Sequence, residues 1–300
     1  MSAAISTLDK GRFTPGQIVR EVKDLPSAPK ILPRLKRLLH DGDSSMDEIV
    51  MLIRLDTAIA ARVLQVSNSP YYNQGLRCHT IDEAVNRVGY NHIYELVSYA
   101  VASQVLVRPL EVYSMEADEI WQQSVACALA AELIASITGD DENVAYTVGL
   151  LHRIGMVVVN EWALRGHPQL RFIGEGFPGE FIRSERVILG CTQADVGAEL
   201  LRSWDFSPDT TIPVQCQYEP RSASIGTRMA SLLCAARWVR AVVCDEPGHS
   251  MPPNAALLAR LRLSPAQLTA VAGDVRAQLQ TISTSLVEAQ SPSFRELFAS

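Results

Sequence analysis

Hydrophobic positions recur along most of the chain at the spacing of three and four residues that is typical of helices, and alternating strand patterns are scarce. The clearest ridge repeats every fourth position, at Trp121, Val125, Leu129 and Leu133. Its natural partner is the segment 144–162, because Gly149 and Gly155 lack side chains and allow close helix contact. The pattern predicts an all-α protein in which His152, within GLLHRIGMVVVN, lies in a tightly packed helical core.

Capping residues predict where helices begin in the N-terminal third. Ser45 followed by Glu48, and Thr80 followed by Glu83, both fit a capping box, and Gly89 is expected to stop the second of these helices. Asp56 is expected to cap the next segment, which makes a structural role its first interpretation. A long, mostly buried helix is predicted over 91–107.

Beyond residue 170 helices alternate with breaks. The Gly/Pro segment 171–181 is predicted to be a loop, and 184–204 a helix whose core residues are Val187, Leu200 and Leu201. Ser207-Pro208 fits a cap followed by a first-turn proline, whereas Pro213 predicts a break or a late start. A second loop near 244–255 precedes two last helices, and Ser264-Pro265 is expected to cap the second.

A soft boundary near Pro109 divides the predicted bundle into two packed helical subdomains. The predicted organisation is an N-terminal extension over 1–17, a first subdomain over 18–108, and a second over 109–242. The remaining residues, 243–300, are expected to form a loop and C-terminal helices that pack on the core.

Composition and charge exclude several classes of function. Hydrophobic residues make up 47% of the chain and charged residues 20%, and the formal net charge is -6. Such interspersed charge lacks the basic patch that a nucleic-acid binder needs. The six cysteines form no CxxC pair, which favours reduced thiols. The N-terminus does not resemble a signal peptide and the most apolar windows are too short to span a bilayer, so we expect a cytoplasmic protein with no membrane partner.

Two stretches resemble the HDOD (HD-related output domain) family of bacterial signalling proteins. Residues 25–73 carry an LP opening and a run similar to the family's D-P-x-L-x-x-R-x-L-x-x-x-N-S, with Thr57 in place of the proline. TIDEAVNRVGYNHIYEL, at 80–96, is similar to the family's S-x-x-x-A-I-x-x-L-G. The family-motif positions, to which we assign structural or interaction roles, are Asp56, Arg62, Asn68, Tyr71 and Tyr72.

The same resemblance implies a second subdomain like the helical core of HD domains, but with a degenerate metal site. Active HD-type phosphohydrolases place His, a His-Asp pair and a further Asp around metal ions that activate water. Here the corresponding positions hold other chemistry, and only His152 is retained. The degenerate pocket comprises Gln123, His152, Arg153, Gln193, Gln217 and Tyr218. We therefore expect no catalytic residue, no metal and no cofactor, as in a pseudoenzyme.

Each pocket residue also has an ordinary structural interpretation. His152 is expected to be a hydrogen-bonded core histidine. Arg153 either points outward, pairs with an acid, or contacts an anionic ligand or partner. The glutamines could hydrogen-bond within a closed pocket, because an amide replaces the polar contacts of an imidazole without binding metal.

The sequence therefore favours a non-catalytic regulatory module that acts through protein–protein interaction. The resemblance implies two-component or cyclic-dinucleotide signalling, with response regulators or diguanylate cyclases as partners. Two alternatives stay open. One is an effector that binds a nucleotide such as cyclic di-GMP without hydrolysis, because arginine recognises phosphate in a bidentate way. The other is a residual metal-dependent phosphohydrolase.

Overall fold

The computed structural model describes residues 13–22, 46–54, 63, 67, 80–89, 93, 109–203, 206–220 and 226–289. Throughout these residues the regular elements are helical, apart from one isolated bridge between Leu110 and Met115. The all-α prediction is confirmed. The chain divides into two compact units, one of residues 1–26 and 105–272 and the other of residues 27–104 and 273–300.

The described helices are numbered in chain order. They are α1 (Pro15–Glu21), α2 (Met46–Arg54), α3 (Ile81–Val88), α4 (Ala117–Thr138), α5 (Glu142–Leu151), α6 (Ile154–Gly166), α7 (Ile182–Ile188), α8 (Gln193–Ser203), α9 (Pro208–Gln215), α10 (Thr227–Val243), α11 (Ala255–Leu261) and α12 (Pro265–Ala289). A short 3-10 helix covers Glu111–Tyr113.

Helix α3 begins and ends where its sequence predicts. The Thr80 hydroxyl accepts a hydrogen bond from the backbone N–H of Glu83 at 3.1 Å, and the Glu83 carboxylate accepts one from the backbone N–H of Thr80. Gly89 ends the helix with φ of +83°, a conformation that suits glycine. Its apolar face is buried in the second unit, where α2 and α3 pack together.

The first unit is built around α4, α5 and α10. Close approach of α5 to α4 requires a glycine, because a Cβ atom at Gly149 would lie 2.6 Å from the carbonyl oxygen of Cys127. The stretch Glu119–Thr138 of α4 has the length and apolar composition of a membrane span, and 67% of its most apolar window is buried inside the fold. It is the one such stretch in the part of the chain that the structure describes. Such burial is typical of the core helix of a globular protein.

The segment 144–162 forms parts of two helices rather than one, because the chain breaks at His152 and Arg153. A continuous helix would bond the Gly149 carbonyl to the N–H of Arg153. Instead Nδ1 of His152 lies 2.6 Å from that carbonyl oxygen. Arg153 adopts φ of −108° and ψ of 8°, and its carbonyl accepts from Met156 N as α6 begins.

Three predictions in the C-terminal half are wrong. The helix predicted over 184–204 is divided into α7 and α8 at Gly190, where φ is +84°. Val187, predicted to be core, is 75% exposed, because Glu185 and Leu189 occupy the inner face of α7. Pro213 lies inside α9, which continues to Gln215. The predicted cap at Ser264 is confirmed, because its hydroxyl accepts from the backbone N–H of Gln267 at 3.2 Å. Ser207 is at the N-cap position of α9, but its side chain makes no capping hydrogen bond.

Candidate functional site

The break between α5 and α6 turns His152 into a buried hydrogen-bonding centre. Its Nε2 lies 2.7 Å from Nη1 of Arg240, which is on α10. A guanidinium can only donate, so Nε2 must be the acceptor and Nδ1 must carry the proton that bonds to the Gly149 carbonyl. The lone pair that an imidazole would offer to a metal is therefore bonded to a cation from the same chain.

Three arginines converge on one carboxylate beside this histidine. Glu180 accepts hydrogen bonds from Nε and Nη2 of Arg237 at 3.2 and 2.5 Å and from Nη2 of Arg240 at 2.8 Å. Nη2 of Arg153 lies 3.3 Å from its other oxygen. The exposed fractions of the four side chains do not exceed 3%. A carboxylate at this depth needs such partners, because an unpaired buried charge is very costly.

A second carboxylate, Glu246, completes what we call the arginine–glutamate cluster: Arg153, Arg237, Arg240, Glu180 and Glu246. Its oxygens lie 2.8 and 2.9 Å from Nε and Nη2 of Arg240 and 3.7 Å from Nη2 of Arg153. The two glutamates come from the loops at 167–181 and 244–254, while the arginines come from the α5–α6 junction and α10. Ion pairs thus hold two loops against the helical core.

The predicted pocket glutamines surround the backbone of His152. The side-chain amides of Gln193 and Gln217 donate to the His152 carbonyl at 3.2 and 2.8 Å. Gln193 also donates to the hydroxyl of Tyr218 at 2.8 Å, and that hydroxyl donates to Glu180 at 3.2 Å. The hydrogen bond from Gln123 runs along α4 to Glu119. The structure therefore joins five of the six predicted pocket residues through hydrogen bonds or ion pairs.

Burial and charge act in opposite directions on the pKa of Glu180 and in the same direction on the pKa of His152. Burial raises the pKa of Glu180, but the charges of the three arginines outweigh it and hold that pKa well below its ordinary value. Burial and the charges of Arg240 and Arg153 hold the pKa of His152 well below 6.5, so the imidazole is neutral. Nearby Glu185 is different, because burial raises its pKa to about 7.

The residues of this centre do not fit a divalent metal ion. Such a site needs several imidazole, thiolate or carboxylate ligands converging on one point. Among the described residues, no three His, Cys, Asp or Glu side chains converge in this way. Three guanidiniums also place positive charge next to His152, which opposes a cation.

The sequence predicted the pocket residues around His152 but not the remaining charged residues of the arginine–glutamate cluster. Arg237 and Arg240 carry a usable signal, because they are charged residues three apart within the apolar run SLLCAARWVRAVV. Glu180 and Glu246 have no such signal, since acidic residues in Gly/Pro loops are ordinarily solvated. The predicted family-motif residues Asp56, Arg62, Asn68, Tyr71 and Tyr72 lie outside the described residues.

The family model of the HDOD domain matches residues 25–220. The chain belongs to the HDOD family. It is 33% identical over 197 residues to an uncharacterised protein of Treponema pallidum (strain Nichols). That match covers 63% of this chain and only 36% of the relative, so the chain spans about a third of the relative's length.

Solved structures share the fold at low sequence identity. An HDOD domain protein of unknown function from Geobacter sulfurreducens is 21% identical, with a TM-score of 0.59, and the match covers 90% of this chain and 94% of that one. A candidate signal transduction protein from Marinobacter aquaeolei VT8 is 20% identical, with a TM-score of 0.68 and coverage of 96% and 64%. A candidate phosphohydrolase from Shewanella amazonensis SB2B is 22% identical, with a TM-score of 0.65 and coverage of 90% and 97%.

Proposed function

We propose that this HDOD protein is a non-catalytic signal-transduction module that acts by binding other proteins in bacterial two-component or cyclic-dinucleotide signalling. Membership of the HDOD family supports a signalling role, and the description of the Marinobacter relative as a candidate signal transduction protein agrees with it. The candidate partners are response regulators and diguanylate cyclases, with the cytoplasm as the expected location.

The observation that carries the non-catalytic part is the hydrogen bond from Arg240 to Nε2 of His152. Metal-assisted hydrolysis needs an imidazole lone pair directed at the ion and an open position for water. In this protein a guanidinium takes the lone pair, and the side chains around it are buried. The arrangement favours an inert centre that fixes the fold.

Metal content and hydrolysis test this proposal together. We expect purified protein to contain far less than one equivalent of any divalent metal, and to hydrolyse no phosphomonoester or cyclic dinucleotide above the level of its own His152→Gln variant. Stoichiometric metal combined with activity that His152→Gln abolishes would overturn the non-catalytic part.

Partner binding is tested separately. We expect at least one purified receiver domain or diguanylate cyclase from the source organism to form a complex detectable by calorimetry. We also expect Tyr71→Ala/Tyr72→Ala to weaken it, because tyrosines are enriched at interfaces. A complete panel without binding would contradict the protein-interaction part and leave the metal result unaffected.

The second candidate is a nucleotide-binding effector, and the convergence of Arg153 with two more arginines favours it. In the described conformation these guanidiniums face Glu180 and are buried. A nucleotide phosphate could reach them only if Glu180 moved away.

A further inference from the structure

The loop that carries Glu180 is attached to the core in an unusual way. Residues 173–179 are exposed or half-exposed, and Ile173 is 67% exposed. Glu180, which follows them directly, is 4% exposed and has a backbone φ of +49°. That left-handed conformation is unfavourable for a residue with a side chain. Glu180 is therefore a buried charged residue with an unfavourable backbone conformation, and its side chain attaches the exposed stretch before it to the core.

The surroundings of the Glu180 carboxylate are those of a bound oxyanion. Its Oε1 accepts from Arg237 and Arg240, and its Oε2 faces Arg153 at 3.3 Å and accepts from the hydroxyl of Tyr218 at 3.2 Å. The guanidinium of Arg237 approaches with two nitrogens, at 3.2 and 2.5 Å. Both nitrogens donate to Oε1, and guanidinium donors that converge on an anionic oxygen in this way are typical of carboxylate and phosphate recognition by arginine.

The cluster carries more positive charge on its arginines than negative charge on its carboxylates. Among the described residues of the cluster, three guanidiniums face two carboxylates, which leaves one positive charge in a buried place. Nε of Arg153 also has no hydrogen-bond partner there, although Arg153 is only 2% exposed. A dianionic phosphate in place of the Glu180 carboxylate would cancel the remaining charge and offer an additional acceptor oxygen.

We propose that Arg153, Arg237 and Arg240 form a binding site for the phosphate group of a small ligand, and that Glu180 occupies this site from within the chain. The ligand and the loop at 171–181 compete for the same guanidinium donors. Binding displaces Glu180 and releases a stretch that already exposes Ile173. This inference does not rest on the non-catalytic signalling role, and it develops the second candidate function, the binding of a nucleotide phosphate by these arginines.

Calorimetric titration with inorganic phosphate at constant ionic strength tests the competition. In Glu180→Ala no carboxylate competes for the guanidiniums of Arg153, Arg237 and Arg240. Phosphate therefore binds with the full affinity that these three arginines provide. In the wild type Glu180 blocks this site, and if the loop is displaced in about 1% of molecules, binding is roughly 100-fold weaker. The matched control is Glu175→Ala, which removes an exposed carboxylate from the same loop and should bind phosphate as weakly as the wild type.

Phosphate binding by Glu180→Ala no tighter than by Glu175→Ala would overturn the proposal. If Glu180→Ala does not fold in chloride, the yield of soluble refolded protein in phosphate against chloride replaces calorimetry. Recovery in phosphate alone then supports the site, and equal failure in both overturns it. Adding Arg153→Gln to Glu180→Ala should abolish the gain, and a gain that persists also counts against the proposal.

A further arm of the titration identifies the source of the phosphate group. Adenosine monophosphate and cyclic di-GMP are titrated into Glu180→Ala beside inorganic phosphate. Tighter binding of either nucleotide indicates a nucleotide ligand, while equal or weaker binding indicates free phosphate or another ester. Neither result depends on metal content or on partner binding, so this proposal and the proposed function can fail independently.

Discussion

The first unit contains two buried regions that are held together by different physics. Where α5 meets α4 and α6 meets α8, backbone lies against backbone, and Gly149 and Gly155 leave no room for a Cβ atom. In the arginine–glutamate cluster, by contrast, long charged side chains from helices and loops meet around Glu180. The first region depends on shape and the second on the balance of charge.

This difference predicts how each region responds to change. A close-packed contact tolerates removal of polarity but not added volume. A buried ion-pair cluster tolerates small changes of shape, but removing one carboxylate leaves uncompensated guanidiniums that the protein interior cannot solvate. Substitutions of matched size therefore separate the two regions.

The largest effect is expected for Glu180→Gln, which keeps the side-chain shape and removes the charge. Three buried guanidiniums would then face only Glu246, and we expect the free energy of unfolding to fall by about 3 to 5 kcal/mol. Urea denaturation followed by circular dichroism measures it. Glu175→Gln, whose carboxylate pairs with Arg183 at 4.0 Å on the exposed surface, should cost less than about 1 kcal/mol. Similar losses for both variants would contradict the ion-pair account.

Gly155→Ala breaks the shape-dependent region instead. Its Cβ atom would lie 1.8 Å from the carbonyl oxygen of Gln193, so α6 and α8 must move apart at a cost of about 3 kcal/mol. The matched variant is Gly166→Ala at the end of α6, where a Cβ atom meets nothing within 4 Å. It should change the same free energy by less than about 0.5 kcal/mol. A stable Gly155→Ala protein would show that this helix contact is looser than described.

Glu185→Gln sharpens the comparison between carboxylates. The hydrogen bonds of Glu185 come from the neutral donors Tyr113 Oη and Gln193 N, and burial raises its pKa from 4.5 to about 7. Because the folded pKa is the higher one, its contribution is fully present below about pH 4.5 and is lost as pH rises through about 7.

The loss between pH 5 and pH 7 should amount to about 2 kcal/mol and disappear in Glu185→Gln. The readout is the difference between the two unfolding curves at each pH. The lowered pKa of His152 has the opposite effect, because it decreases the free energy of unfolding as pH falls below 6.5. This decrease occurs in both proteins. Parallel curves would show that Glu185 titrates normally.

The sequence predicted the close-packed region better than the charged one, for a physical reason. Helical contacts are set by local periodicity and small residues, so the roles of Gly149 and Gly155 could be read from their neighbours. The break after His152 could not be predicted in this way, because there the His152 side chain bonds to a carbonyl of its own helix in place of a backbone N–H.

The charged region depends on residues far apart in sequence. Glu180 lies 57 and 60 positions from Arg237 and Arg240, which donate hydrogen bonds to it, and no spacing rule connects them. The sequence did predict that His152, Arg153, Gln193, Gln217 and Tyr218 share one site, and that prediction came from the family resemblance. It missed Arg237 and Arg240, although charged residues within an apolar helix already indicate a buried partner.

The most direct test of the central claim is the protonation state of the His152 imidazole, measured by nitrogen-15 NMR on histidine-labelled protein and assigned with the His152→Gln variant. We predict a ring that is still neutral at pH 6.5, with the proton on Nδ1 and with Nε2 as an acceptor, unchanged by added Zn²⁺. Arg240→Met should raise the pKa of this ring, because it removes the donor and the nearby positive charge. An Nε2 resonance that shifts to a metal-bound position when Zn²⁺ is added to the wild-type protein would contradict the account.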